Sequence, residues 1–117
     1  MEFKNRNPKL FLIAGKARQG KDTVAAMIRH YYTSQGNDCM NLQIAHYIKE
    51  YAKRISDWEG REETKPRALL QQLGTDLIRN EIDNELFIRR TIEDIRVFSY
   101  FKDVITLSDI RLAYSLI

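Results

Sequence analysis

A glycine-containing segment near the start of the chain has the residue types and spacing of a phosphate-binding loop. Its residues are Gly15, Lys16, Ala17, Arg18, Gln19, Gly20, Lys21, Asp22 and Thr23, which match the pattern G-x-x-x-x-G-K. Such a loop directs backbone N–H groups at a phosphate, and its lysine adds positive charge beside the terminal phosphates. The segment therefore predicts a site for ATP, with Lys21 as the main cationic contact.

Two carboxylates are candidates to hold the Mg²⁺ ion that accompanies ATP. Asp22 stands where Ser or Thr usually follows the loop lysine, and Asp109 follows a predicted strand, at the edge where open α/β sheets bind ligands. Carboxylate oxygens are ligands that Mg²⁺ prefers. We therefore predict Asp22 and Asp109 as metal ligands and Arg111 as a phosphate contact. The alternative for each aspartate is a helix cap.

The pattern on both sides of the loop predicts the strand and the helix that the loop requires. The short apolar run 10–14 ends at Gly15, which predicts a buried strand over residues 9–14. From Asp22 onward, apolar residues recur at helical spacing, which predicts a helix. These residues are Val24, Met27, Ile28, Tyr31 and Tyr32.

The rest of the chain predicts two more strands with three helices between them. Residues 40–45 alternate apolar and polar side chains, which is typical of a strand. Helical spacing follows at 48–55, from Pro66 onward, and at 88–98. Residues 104–107 are mostly apolar and β-branched, which indicates a central parallel strand covered on both faces. We therefore predict an α/β fold with a parallel sheet.

Length and composition limit the kind of protein this is. The chain has 117 residues, of which 44% are hydrophobic and 30% charged. This length and composition predict one globular domain over residues 1–117. The net charge of +3 is spread along the chain, which favours small anionic ligands over nucleic acid. The single cysteine, Cys39, favours a reducing, cytoplasmic location, and the longest apolar run, 10–14, predicts no membrane contact.

Four segments resemble the P-loop nucleoside monophosphate kinases, and within them the deoxynucleoside monophosphate kinases of phages and bacteria. They are GKARQGKDT at 15–23, IAHYIKE at 44–50, RALLQQLGTDLIR at 67–79 and VITLSDIR at 104–111. The first is similar to the family's GK-x-x-x-GKDT loop, the third to its R-x-L-L-Q-x-L-G-T-[DE] helix, and the fourth to its Asp-x-Arg strand end. In the second, His46 stands where the family usually has Asp.

The resemblance implies a three-layer P-loop kinase fold and a kinase that uses ATP and Mg²⁺. It implies that Lys49, Arg67 and Arg79 bind the phosphate of the acceptor, and that Gln71 and Asp76 contact its nucleoside. A solvated helix surface is the alternative for each of these side chains. Lys21, Asp109 and Arg111 are the expected catalytic residues. A homodimer through an open sheet edge is the one macromolecular partner we predict.

The family continues past its third strand with a lid and two more strands, so we expect residues 1–117 to be the N-terminal portion of a kinase domain, poor at transfer alone. Three alternatives remain open from the sequence, and the first is a catalytically idle fragment whose exposed sheet edge recruits another chain. A kinase of another phosphate acceptor, similar to phosphomevalonate kinase, is the second possibility. A P-loop module that binds nucleotide without turnover is the third.

Trp58 lies in the charged loop 56–66. Its ring either stacks on an acceptor base or packs the loop against the rest of the protein.

Overall fold

The computed structural model describes residues 2–14, 20–83 and 85–108, apart from the side chain of Arg79. The strands are β1 (Lys9–Leu12), β2 (Cys39–Leu42) and β3 (Val104–Leu107). The helices are α1 (Lys21–Ser34), α2 (His46–Ser56), α3 (Arg67–Gln71) and α4 (Leu86–Phe98), with a 3₁₀ turn at Glu62–Thr64 and a π-helical segment, Gln72–Ile82, that continues α3. Among the described residues, no helix has both the length and the apolar character that crossing a bilayer requires.

The three strands form one parallel sheet in the order β1-β3-β2. Leu107 of β3 pairs with Leu12 on one side and with Leu42 on the other. All four residues of β3 are buried, because the strand lies between the other two and is covered on both faces. Each of its positions therefore needs a side chain that is apolar or has a hydrogen-bond partner inside the protein. The prediction of a mixed α/β fold with a parallel sheet and a central third strand is confirmed.

Both edge strands end earlier than the sequence pattern predicts. The runs 9–14 and 40–45 were expected to be strands, whereas β1 ends at Leu12 and β2 at Leu42. The N–H of Ile13 still donates to Leu107 O at 2.8 Å. After β2, Gln43 O accepts a bond from His46 N at 3.2 Å, which closes a turn into α2. The sequence pattern therefore overestimates the length of both edge strands, and the prediction that the first strand is buried is wrong, because Leu10 and Leu12 are 43% and 60% exposed.

The main core lies where β3 meets the helices that follow β2. Its buried members come from β3, α2, the π-helical segment, α4 and the connecting loops, which explains why three helices separate the second and third strands. They are Ile44, Ile48, Ala52, Trp58, Leu73, Ile78, Phe87 and Leu107. This arrangement holds α2 and the π-helical segment in a fixed position beside the carboxyl ends of the strands.

Helix α1 packs on β2 and β3 through a face that only partly overlaps the one that its apolar spacing predicts. Ala25 is its buried residue, and Arg29 reaches the sheet. Val24, Met27 and Tyr31 are 46%, 66% and 58% exposed. The helix itself is confirmed, but its predicted apolar stripe is divided: Ile28 and Tyr32 are half-buried, and the Tyr32 ring lies 5.7 Å from that of Phe11 on β1, whereas the other three residues are exposed.

Candidate functional site

The carboxyl ends of β1 and β3 lie side by side. Leu12 and Leu107 are paired at the last ladder position, and the hydrogen bond from Ile13 N to Leu107 O extends the contact by one residue. The chain therefore leaves both strands from neighbouring points of the same edge. In open α/β sheets this edge is where ligands bind.

Helix α1 begins on a glycine in the left-handed region. Gly20, the N-cap, has φ 79° and ψ 21°, a conformation that costs little only for residues without a Cβ. Its carbonyl accepts the first helical hydrogen bond, from Val24 N at 2.9 Å. Lys21, the first residue of the helix, is half-buried and forms no ion pair with any described residue. Among the described residues, no side chain caps the N–H groups of this first turn.

Asp22 does not cap α1. It lies within the first turn and is exposed, and the cap position belongs to Gly20. A carboxylate in the first turn interacts favourably with the helix dipole. Capping was the alternative to a metal-binding role for Asp22, and the structure excludes that alternative. Thr23, the last residue of the predicted loop motif, is also exposed.

Several predicted site residues lie outside the described part of the chain. From the loop they are Gly15, Lys16, Ala17, Arg18 and Gln19, and after β3 they are Asp109 and Arg111. Their roles stay predictions from the sequence. The described residues contain no group of three or more His, Cys, Asp or Glu side chains able to hold a metal. Mg²⁺ is usually bound by one or two carboxylates together with substrate phosphates, so an exposed Asp22 fits that chemistry.

The acceptor-side candidates lie on helices that pack together. Lys49 is half-buried on α2, and α2 contacts both α3 and the π-helical segment. Arg67, the first residue of α3, is exposed and forms an ion pair with Glu62 at 3.0 Å, a surface contact of small energetic value. Gln71 Nε2 donates to Thr75 Oγ1 at 3.0 Å. Among the described side chains, no hydrogen bond or ion pair joins these candidates to one another.

The π-helical segment carries Asp76 and the backbone of Arg79. Its last turn shows the wide spacing directly, because Asp83 N donates to Ile78 O, five residues back, at 2.7 Å. Turns with this spacing are rare in proteins, and those that occur are often found at functional sites. Gly74 approaches α2 so closely that an added Cβ would lie 3.3 Å from Ile48 Cδ1. The glycine of the Leu-Gly-Thr-Asp motif therefore allows the π-helical segment to pack closely on α2. Asp76, two residues later, is exposed.

A polar network on the central strand was missed in the sequence. Arg29 Nη1 donates to Thr106 Oγ1 at 2.8 Å, and Thr106 Oγ1 donates to Asn41 Oδ1 at 2.8 Å. Thr106 is fully buried, so these partners replace water for its hydroxyl. The available signal was a threonine inside an otherwise apolar strand. This network ties α1 to β3 and β2.

Ser108, directly after β3, was also missed. Its side chain is 1% exposed, and its Oγ has no hydrogen-bond partner among the described residues. A buried hydroxyl without a partner costs about 1–3 kcal/mol. The hydroxyl lies at the carboxyl end of the central strand, next to the edge described above. The signal in the sequence was a serine between an apolar strand and Asp109.

Tyr47 forms the centre of a second polar cluster, on the side of β2. Its hydroxyl donates to the carboxylate of Asp94, with O–O distances of 3.0 and 2.9 Å. The Arg90 guanidinium lies 5.3 Å from the centre of the Tyr47 ring, and the His46 ring meets it edge-on at 5.1 Å. Burial, followed by the hydrogen bond to Asp94, raises the pKa of Tyr47 above its ordinary value of 10.0.

The raised pKa of Tyr47 predicts a loss of stability in alkaline solution. The folded chain holds the phenolic proton more tightly than the unfolded chain, so this contribution is fully present below pH 10 and is lost as the pH rises through the folded-state pKa. Urea denaturation at several pH values above about 10 should show that the free energy of unfolding falls less with rising pH in Tyr47→Phe than in the parent. Tyr100→Phe, at an exposed tyrosine, is the control. Equal pH dependence in the parent and Tyr47→Phe would contradict this prediction.

Comparison with known proteins finds no matching family model, no matching curated protein and no matching solved structure. The resemblance to nucleoside monophosphate kinases therefore remains an inference from the motifs in the sequence. The case for a function depends on those motifs and on the geometry of the described residues.

Proposed function

We propose that this chain has a P-loop kinase fold and acts as an ATP-dependent phosphotransferase on a nucleoside or deoxynucleoside monophosphate. The observation that carries the proposal is the start of α1. A parallel strand, β1, leads through the predicted loop to a left-handed Gly20, and Lys21 follows as the first helical residue. This strand, loop and helix are the context that the G-x-x-x-x-G-K pattern needs in order to bind phosphate.

The donor half of the proposed site binds ATP phosphates through α1. The first-turn N–H groups carry partial positive charge, and no side chain in the described part of the chain caps them, which favours binding of an anion there. Lys21 adds a full charge beside them. Asp22 and Asp109 would hold Mg²⁺, which when bound neutralises charge on the donor phosphate oxygens.

The acceptor half of the proposed site draws on α2, α3 and the π-helical segment. Lys49, Arg67 and Arg79 bind the acceptor's phosphate, and Gln71 and Asp76 contact its nucleoside. An oxygen of that phosphate forms a bond to the γ-phosphorus of ATP, the bond to the bridging oxygen breaks, and ADP leaves with that oxygen. The protein contributes mainly by holding both anions in line.

Two features of the described residues support a ligand at this edge of the sheet. The buried Ser108 hydroxyl has no partner in the described part of the chain, and a ligand oxygen beside the end of β3 would satisfy it. The π-helical segment adds a rare backbone form on the acceptor side.

A direct assay tests the proposed reaction. The protein is incubated with ATP, Mg²⁺ and each common nucleoside and deoxynucleoside monophosphate, and products are separated by ion-exchange chromatography. We expect ADP and one nucleoside diphosphate to form slowly and in equal amounts, and only when the correct monophosphate is present. Nucleotide binding without any diphosphate product would favour a binding module instead. Absence of nucleotide binding would contradict the proposed site as a whole.

The assignment of Arg79 to the acceptor predicts an asymmetric kinetic effect. Arg79→Met removes a charge-assisted contact to the acceptor phosphate, so the KM for the monophosphate should rise about tenfold or more, with little change in the KM for ATP. Steady-state kinetics with each substrate varied in turn measures both values. Arg54→Met, at an exposed arginine on α2, is the matched control. Equal changes for both substrates would contradict the assignment.

A further inference from the structure

A cleft beside β2 has a chemistry unlike that of the proposed phosphate site. It lies between β2, the first turn of α2 and the second half of α4, and its volume is about 450 Å³. This is within the range of about 300–1,000 Å³ that is common for small-molecule sites. None of the described residues that line it belongs to α1. We refer to it as the β2–α4 cleft.

The charge of the β2–α4 cleft is negative. Asp94 lines it together with His46, and no lysine or arginine is among the described residues that do. Asp94 accepts the hydroxyl proton of Tyr47 but forms no ion pair with a described basic side chain. Of the other charges that act on Tyr47, Glu93 is negative and Arg90 positive, so these three groups together carry a net charge of −1. A carboxylate in such surroundings repels phosphate and attracts a cation.

The remaining lining combines polar side chains, Asn41, Gln43 and His46, with an apolar and aromatic part. Met40, Leu42 and Phe98 are half-buried and line the cleft beside the Tyr47 ring. The Arg90 guanidinium lies 5.3 Å from the centre of that ring, so the Tyr47 ring already forms one cation–π contact within the protein. A ligand that fits therefore has two parts, an apolar body and one positively charged hydrogen-bond donor.

We propose that the β2–α4 cleft binds a small organic cation, an ammonium group carried on an apolar or aromatic body. The ammonium group donates hydrogen bonds to the Asp94 carboxylate, whose position Tyr47 fixes through its hydroxyl. The body of the ligand packs against Met40 and Phe98. This inference is independent of the proposed kinase activity, because it uses none of the residues assigned to ATP or to the acceptor phosphate.

Three probes of similar shape test the proposal on the unaltered protein: phenethylammonium, neutral 2-phenylethanol and anionic 3-phenylpropionate. Methyl NMR of the methionines reports where each probe binds, because Met40 lines the cleft and Met27, on α1, is 66% exposed to solvent. We expect phenethylammonium to shift the Met40 signal saturably and to leave Met27 unchanged. A neutral or anionic probe that binds as tightly would overturn the proposal, as would the absence of any shift at Met40.

A pair of neighbouring variants separates the cleft carboxylate from net charge. Asp94→Asn should weaken phenethylammonium binding about ten- to a hundredfold, whereas Glu93→Gln, which removes the same charge from an exposed side chain, should change it far less. Tyr47→Phe keeps the carboxylate and should weaken binding by a smaller factor. The NMR spectrum of each variant establishes that it is folded. Equal affinity in Asp94→Asn and the parent would refute the role of Asp94.

Discussion

Replacing Lys21 by alanine is expected to weaken ATP binding about ten- to a hundredfold, because one charge-assisted contact to the phosphates, worth roughly 1.5–3 kcal/mol, is lost. Lys21 is half-buried at the start of α1 and forms no ion pair with the described residues, so its charge is available to a ligand. The helix should stay intact, since Gly20 still provides its N-cap. Isothermal titration calorimetry of the parent and the variant measures the change directly.

Lys4→Ala is the matched control for this experiment. Lys4 is exposed in the segment before β1, and its removal lowers the net charge by the same amount. A general effect of net charge would weaken ATP binding equally in both variants, whereas a specific contact would weaken it only in Lys21→Ala. If Lys21→Ala binds ATP as tightly as the parent, the phosphate loop has been assigned wrongly.

The elements around the phosphate loop could be predicted because local sequence determines them. The apolar run before Gly15 produced β1, and helical spacing from Asp22 produced α1, which begins one residue earlier, at Lys21. The continuous apolar segment 104–107 predicted both the bounds of β3 and its central position. A buried strand leaves a signal in each of its residues, so its prediction needs no tertiary information.

Contacts between distant segments could not be predicted in the same way. Arg29 and Thr106 are 77 residues apart, and neither residue type reveals that they form a hydrogen bond. The spacing on α1 identified a helix but not the side that packs, because Ala25 is small and Met27 is large and yet only Ala25 is buried. The direction in which a helix faces depends on the sheet beneath it, which local periodicity does not encode.

The candidate site likewise contains residues that a local motif predicts and residues that only the folded structure identifies. Lys21 and Asp22 were found because a short motif contains both residues and the backbone that presents them. Ser108 was not found, since its significance comes from burial without a partner, which only the folded chain reveals. The Tyr47–Asp94 pair was also missed, because it joins α2 to α4 across 47 residues. Motifs thus identify groups on one loop, and clusters assembled from several elements need the structure.

Trp58→Ala is expected to lower the free energy of unfolding by about 3–5 kcal/mol, the usual cost of removing a buried aromatic side chain. Trp58 is 8% exposed and belongs to the main core, although it lies in the charged loop between α2 and the 3₁₀ turn. Its Nε1–H donates to Arg61 O at 3.0 Å, which fixes the loop to the indole ring. These contacts favour packing of the loop over stacking on an acceptor base. Urea denaturation followed by circular dichroism measures the loss.

Two further variants make the test of Trp58 specific. Trp58→Phe keeps an aromatic ring but loses the bond to Arg61, so it should cost only about 1–2 kcal/mol, and it provides a measurable value if the alanine variant does not fold. Val97→Ala removes methyl groups from a side chain that is 58% exposed, and its effect should stay within about 0.5 kcal/mol. Because Trp58 is the single tryptophan, its fluorescence in the parent also reports on ligands. Strong quenching by a nucleoside monophosphate, with a loss below about 1 kcal/mol in Trp58→Ala, would show that the ring contacts the acceptor base and not the core.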